Sequence, residues 1–243
     1  GEDVERVGFG PRYNGKNSLK GRKIKILDST LREGEQFPGC SFTNSQRVQI
    51  AWTLDFLGVD AIEISPIISR QHMEACKKIV QAGLNATIVA HGRALRKDID
   101  QALECGASFA ALYHSVSDIH LKYKLRVSRE EALSRTLDAV DYAKAHGLQI
   151  RVTLEDASRA DPEYVVAFAK ELERAHVDRI SLPDTVGIMA PSGMYNLVKH
   201  VKDNVNVPLD VHCHNDMGLA LANSIAGLEA GAEQVHVTAN GLG

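Results

Sequence analysis

No hydrophobic run in the sequence approaches the roughly 18 residues that a membrane-spanning helix requires. No signal-peptide pattern opens it. No block of lysine and arginine marks a face for a membrane surface. The 28 basic and 31 acidic residues nearly cancel, to a net charge of −3, which gives no electrostatic reason to expect nucleic acid. Cysteine is scarce and scattered: Cys40, Cys76, Cys105 and Cys213 form no C-x-x-C. A chain of 243 residues needs no disulfide staples, so reduced thiols in the cytoplasm are expected. No G-x-G-x-x-G follows the first strand-like run, which argues against a doubly wound dinucleotide-binding sheet. The chain opens on Gly1 rather than methionine, and is expected to be part of a longer protein.

What is present has a rhythm. About 44% of residues are hydrophobic and 24% charged, ordinary for a globular chain with one large core. Residues 1–22 are rich in Gly, Lys and Asn without periodicity, and are expected to be an irregular leader. From residue 23 onward short apolar runs alternate with longer amphipathic stretches. The short runs are Ile24–Leu27, Ala61–Ile64, Ala86–Ala90, Phe109–Tyr113, Gln149–Leu154, Arg179–Leu182, Leu209–Cys213 and Gln234–Thr238. Rich in Val, Ile and Leu, they suit strands of a parallel sheet buried on both faces.

The intervening stretches are helical in pattern. Met194, Leu197, Val198, Val201 and Val205 share one helix face, and Val48, Ala51, Leu54, Phe56 and Leu57 form a similar stripe. Thr43-x-x-Gln46 and Ser128-x-x-Glu131 fit capping boxes. Pro162 and Pro191 stand at first helical positions. Gly58, Gly83, Gly106, Gly147 and Gly231 stand where helices end. Trp52 and the methionines read as core. The pattern predicts an α/β fold, a (β/α)8 TIM barrel over residues 23–243 that ends after the eighth strand. No helical stretch follows Asn240-Gly241-Leu242-Gly243, so an eighth helix is expected to lie in a continuation of the chain.

In this fold chemistry gathers where strands end. The first run leads into Asp28-Ser-Thr-Leu-Arg-Glu-Gly-Glu-Gln36. His91 and Arg93 follow the third run, and His114-Ser115 the fourth. The fifth carries Arg151, Thr153, Glu155 and Asp156, the sixth ends in Asp184-Thr185, and the seventh in His212-Cys-His-Asn-Asp216. Packing alone would not place ionisable residues at one end of six strands. His212 and His214 are two apart on a strand and so face the same side. With a rim carboxylate, for which Glu33 is the choice, they would make an open divalent-metal site. The alternative is two histidines that only hydrogen-bond. Arg32 and Arg151 suit bidentate binding of a substrate carboxylate, or an ion pair with Glu155 or another rim acid. His91 could be a ligand, an acid–base group or a wall residue. Lys122 and Lys124 meet an anionic substrate tail or face water. His120, His146, His176 and His200 are expected to face solvent, and Cys213 to point away from its flanking histidines.

The runs Asp28–Gln36 and His212–Asp216, with Glu155-Asp156, Asp184-Thr185-Val186-Gly187 and Asn240–Gly243, resemble the metal-dependent acyl-transfer branch of the TIM-barrel metalloenzymes. That branch includes homocitrate synthase, 2-isopropylmalate synthase and citramalate synthase. The resemblance implies a Claisen condensation of acetyl-CoA with a 2-oxo acid. It implies a divalent metal (Mg, Mn or Zn) on Glu33, His212 and His214. It gives Arg32 and Glu155 catalytic positions, and places Arg32, Gln36, His91, Arg151, Thr153 and Thr185 around the oxo acid. Homocitrate synthases usually have Leu-Arg-Glu-Gly at the first strand and an Arg where Arg151 stands, whereas isopropylmalate synthases usually have Asp in place of Glu33. The resemblance therefore implies 2-oxoglutarate as substrate and homocitrate as product, in lysine-type biosynthesis. It also implies a homodimer, and segments after Gly243 that complete the acetyl-CoA site and carry the usual candidate for the methyl-deprotonating base. The rival readings are a 2-isopropylmalate or citramalate synthase, a lyase resembling hydroxymethylglutaryl-CoA lyase, or a metal-binding fragment without activity.

Overall fold

The strands form where the apolar runs stand, and most extend to include the polar residues that follow. In the computed structural model residues 18–243 are described. The expected leader at 1–22 therefore lies largely outside the described residues. The strands are β1 (Lys25–Asp28), β2 (Ala61–Ile64), β3 (Thr87–Arg93), β4 (Phe109–Ser115), β5 (Gln149–Glu155), β6 (Arg179–Asp184), β7 (Leu209–Cys213) and β8 (Gln234–Val237). All pairs are parallel, and β8 closes on β1 to complete the barrel. The helices are α1 (Asn44–Leu57), α2 (Arg70–Gln81), α3 (Arg96–Glu104), α4 (Arg129–Ala145), α5 (Pro162–Arg174), α6 (Pro191–Lys202) and α7 (Ala220–Glu229). The expected eight-stranded barrel is what forms.

The punctuation works as its chemistry requires. Thr43 and Gln46 close a reciprocal capping box on α1, and Ser128 accepts from the Glu131 N–H on α4. Pro162 and Pro191 open α5 and α6, where a missing N–H leaves nothing unpaired. Two expectations for the core fail. Phe56 and Leu57 are 91% and 70% exposed, and Trp52 is half exposed, whereas Arg47, Ala51 and Leu54 are the buried residues of α1. Met73 and Met194 are buried, but Met217, in the β7–α7 loop, is exposed.

The main core lies between the strands and the helix ring, and includes Ile62, Ile150, Phe168, Ile180, Val198 and Val211. Inside the barrel, Leu27, Ala61, Val89, Phe109 and Ala111 form a separate apolar cluster on β1 to β4. On β5 to β8 the alternating inward positions are polar: Arg151, Arg179, Ser181, Asp210, His212 and His236, all buried. Half of the barrel interior is thus built from charge and hydrogen bonding. That choice decides where the site can be.

Position on the outside matters too. Gly227 of α7 lies against Val211 of β7, and a Cβ there would come within 2.7 Å of Val211 Cγ1. Gly227→Ala would gain about 1 kcal/mol of helix propensity and lose about 1–3 kcal/mol to overpacking. A net loss of stability is expected, measurable as a lower urea midpoint.

Candidate active site

The turn after β1 is wound tightly. The Ser29 carbonyl accepts from the N–H groups of Arg32, Glu33 and Gly34, at 3.0, 2.7 and 3.3 Å. The Asp28 carboxylate accepts from the Thr30 N–H at 2.8 Å. This folds Arg32 and Glu33 over the barrel mouth. Opposite, β7 brings up His212 and His214, whose rings lie 5.1 Å apart. Glu33 Oε2 is 3.6 Å from His212 Nε2, and Glu33 Oε1 is 3.8 Å from His214 Nε2. These gaps are too long for hydrogen bonds. They are close to the ~3–3.5 Å that separates ligands sharing one ion at ~2.1 Å. One donor atom from each of the three residues lies within 4.8 Å of the others. Two imidazoles and a carboxylate converging without bonding one another fit a divalent metal. Asn215 and Asp216 do not join them: Asn215 accepts from the Ala220 N–H, and Asp216 packs against Gly187. Gly187 has φ +63°, and a Cβ would press on the Asp216 side chain, so this pair braces the rim.

The ten residues expected at the site all line one cavity of about 380 Å³: Arg32, Glu33, Gln36, His91, Arg151, Thr153, Glu155, Thr185, His212 and His214. Their partners differ from expectation in several places. Arg151 pairs with Glu63 of β2, a residue that the strand-end pattern does not single out, and not with Glu155. Glu63 also accepts from Arg32 Nε at 2.6 Å and from Ser29 Oγ at 2.8 Å. Arg32 in turn pairs with Glu33. A charged residue inside the apolar run Ala61-Ile-Glu-Ile64 was the available signal. Glu155 receives Ser115 Oγ–H and Lys124 Nζ, the latter at 2.8 Å. His120 does not face solvent. It sits in a π-helical turn, His120–Leu125, where it touches Ser115 and lies 3.6 Å from Asp156. Thr185 accepts from the Asp156 N–H at 2.9 Å, holding Asp156 at φ +64°. Cys213 packs against the core and away from its flanking histidines, as expected.

Burial and charge set the protonation states. Burial alone would raise the Glu63 carboxyl, but Arg32 and Arg151 hold it well below the usual carboxylate range. Burial, and then the charge of Arg32, push His212 well below its ordinary value, so it is neutral, the form that ligates a metal. The same two causes take His91, stacked on Tyr113 at 5.0 Å, to about 3. Three buried polar atoms of the cavity wall have no partner among the described residues: Arg151 Nε, Thr153 Oγ1 and Ser181 Oγ.

Two outcomes follow. Removing one member of a buried ion pair costs about 3–5 kcal/mol. Glu63→Gln, which strands Arg151, is therefore expected to lower the free energy of unfolding in urea by about that much. His91 is neutral when folded but protonates near 6.5 when unfolded. The unfolded chain thus binds more protons, and stability falls as pH drops from 6.5 toward about 3. At pH 5 this one group accounts for at most about 2 kcal/mol. The difference in urea midpoint between pH 7.5 and 5 should shrink in His91→Gln.

The geometry can be set beside known proteins. The chain is 47% identical over 222 residues to "Probable 2-isopropylmalate synthase" of Methanopyrus kandleri, covering 91% of this chain and 44% of that protein. It is 43% identical over 222 residues to "Homocitrate synthase AksA" of the same organism, covering 91% and 56%. The chain thus spans about half the length of the curated relatives it matches. A crystal structure of hydroxymethylglutaryl-CoA lyase from Pseudomonas aeruginosa superimposes with a TM-score of 0.80 at 24% identity, covering 91% of this chain and 78% of that one. That likeness concerns the barrel. Relatives named as 2-isopropylmalate synthase and as homocitrate synthase match almost equally well, so the similarity does not single out homocitrate. The family model described as HMGL-like matches residues 23–243, and the chain belongs to that family.

Proposed function

We propose that this chain forms the barrel of a metal-dependent synthase that condenses acetyl-CoA with a 2-oxo acid. The observation that carries the reading is the convergence of Glu33, His212 and His214 on one point at the edge of a cavity lined by Arg32, Arg151 and Glu155. The relatives named as condensing synthases support it. Two histidines and one carboxylate would hold the ion, which when bound supplies Lewis acidity toward a ketone oxygen. Arg32, already pinned by Glu63 and Glu33, points a fixed cation at the same region, where negative charge would develop. Neutral His91 and Gln36 border the cavity and can orient an oxo acid. Glu155 faces the cavity with Ser115 and Lys124 holding its carboxylate, which places a charged acceptor within the site.

The finer reading assigns 2-oxoglutarate, with homocitrate as product. Arg151 Nε, Thr153 Oγ1 and Ser181 Oγ are buried donors without acceptors among the described residues, and a distal carboxylate would satisfy them. A second reading has an observation of its own. Glu63 already balances the Arg151 charge, which removes the penalty against the apolar tail of 2-oxoisovalerate, the substrate of a 2-isopropylmalate synthase. A homodimer belongs to the same proposal.

Calorimetric titration of 2-oxoglutarate, 2-oxoisovalerate and pyruvate into manganese-loaded protein separates these readings. On the finer reading 2-oxoglutarate binds, and binding disappears after chelation. The double variant Glu63→Gln/Arg151→Gln removes both charges of that pair together, and at saturating manganese should weaken 2-oxoglutarate at least about tenfold. Preferential binding of 2-oxoisovalerate would establish the second reading. Binding that survives chelation would sink the metal-dependent mechanism.

A further inference from the structure

Behind the metal ligands, deeper in the barrel, lies a chain of buried polar groups that the proposed chemistry does not use. His212 Nδ1 is 3.2 Å from His236 Nδ1, with the two rings at 78°. His236 Nε2 is 3.3 Å from Asp210 Oδ2 and 3.2 Å from Arg151 Nη1. Asp210 accepts from Arg179 Nη1 at 3.0 Å. The His236 and Asp210 side chains are 2% and 0% exposed, so water does not compete for them. β7 and β8 pair in register at Asp210–Gln234 and Val211–Val235, which sets His212 beside His236.

Counting protons leaves two arrangements. Two Nδ1 atoms in contact need one hydrogen between them, so one ring donates and the other accepts. Asp210 can only accept, and Arg151 can only donate. In the first arrangement His236 Nε2–H donates to Asp210, and His236 Nδ1 accepts from His212 Nδ1–H. His212 Nε2 then carries a lone pair facing Glu33 and His214. In the second, His236 Nε2 accepts from Arg151, and His236 Nδ1–H donates to His212 Nδ1. His212 Nε2 then carries a hydrogen and cannot ligate a metal. Both rings are neutral in both arrangements; only the place of each hydrogen differs.

We infer that His236, held by Asp210, is a positioning residue that fixes the Nδ1–H tautomer of His212 and so readies its Nε2 for the metal. The inference rests on the metal reading proposed above. Imidazole ligands commonly donate their second N–H to a carboxylate or carbonyl; here a second imidazole relays that role to Asp210. The Arg179 pair keeps Asp210 an acceptor, and Asp210 competes with Arg151 for His236 Nε2.

The test combines ring ¹⁵N NMR of the metal-free protein with manganese and zinc titrations of the wild type, His236→Phe and His236→Gln, each checked for a cooperative thermal transition. Gln keeps an acceptor for His212 and a donor for Asp210, whereas Phe keeps neither. The wild type should show the His212 hydrogen on Nδ1. Phe should weaken metal binding about 10- to 100-fold, and Gln should restore most of it. A hydrogen on His212 Nε2 in the wild type, or equal metal affinity in folded His236→Phe, would overturn the inference and leave the metal reading intact. Failure of the wild type to bind metal, or equal binding by His214→Ala, would overturn the metal reading and the inference with it.

Discussion

The site depends on one carboxylate buried inside the barrel. Glu63 is wholly inaccessible to solvent and binds two guanidinium groups, Arg32 above and Arg151 across the barrel. An isolated charge there would cost several kcal/mol to bury, and would be neutralised instead. With two cations beside it, Glu63 stays ionised, and the two arginines can remain inside. Each guanidinium has donors left over, and these are what the cavity can offer a ligand. The breaking cost of about 3–5 kcal/mol is a large fraction of the total stability of an ordinary domain, about 5–15 kcal/mol.

The interior is divided to match. On β1 to β4 the lower barrel is filled by Leu27, Ala61, Val89, Phe109 and Ala111, which need no partners. On β5 to β8 a chain of polar contacts runs from Arg179 through Asp210 and His236 to His212. Apolar packing supplies a rigid wall, and the polar half carries orientation from the barrel centre to the rim. At the rim the turn after β1 is held by backbone bonds, where the Ser29 carbonyl gathers three N–H groups. Preorganisation of this kind removes the need to order Arg32 and Glu33 when a ligand arrives.

Much of this was legible in the chain itself. Short Val- and Ile-rich runs between capped helices signal buried parallel strands, and His212-x-His214 on such a run has only one geometry. The ten residues expected from the strand ends and the family resemblance line one cavity. The errors have physical causes as well. Glu63 sits inside a run otherwise apolar and His236 between two valines, and periodicity describes a run, not the odd polar residue within it. His120 looked like a loop residue because a π-helical turn has no sequence period of its own. Trp52, Phe56 and Leu57 are large and apolar, yet an outer helix of a barrel buries only the face turned inward.

The sequence by itself determined the number and order of the strands, the ends of most helices and the identity of the metal-ligand candidates, because these follow from local periodicity, capping and spacing. Only the tertiary structure decided the partners. Arg151 could have met Glu155, four residues along its own strand, but the closed barrel brings Glu63 of β2 across to it. Glu155 went instead to Ser115 and Lys124, and His212 found His236 on the neighbouring strand. Which charge neutralises which is a property of distances across the barrel, and no pattern along one strand encodes them.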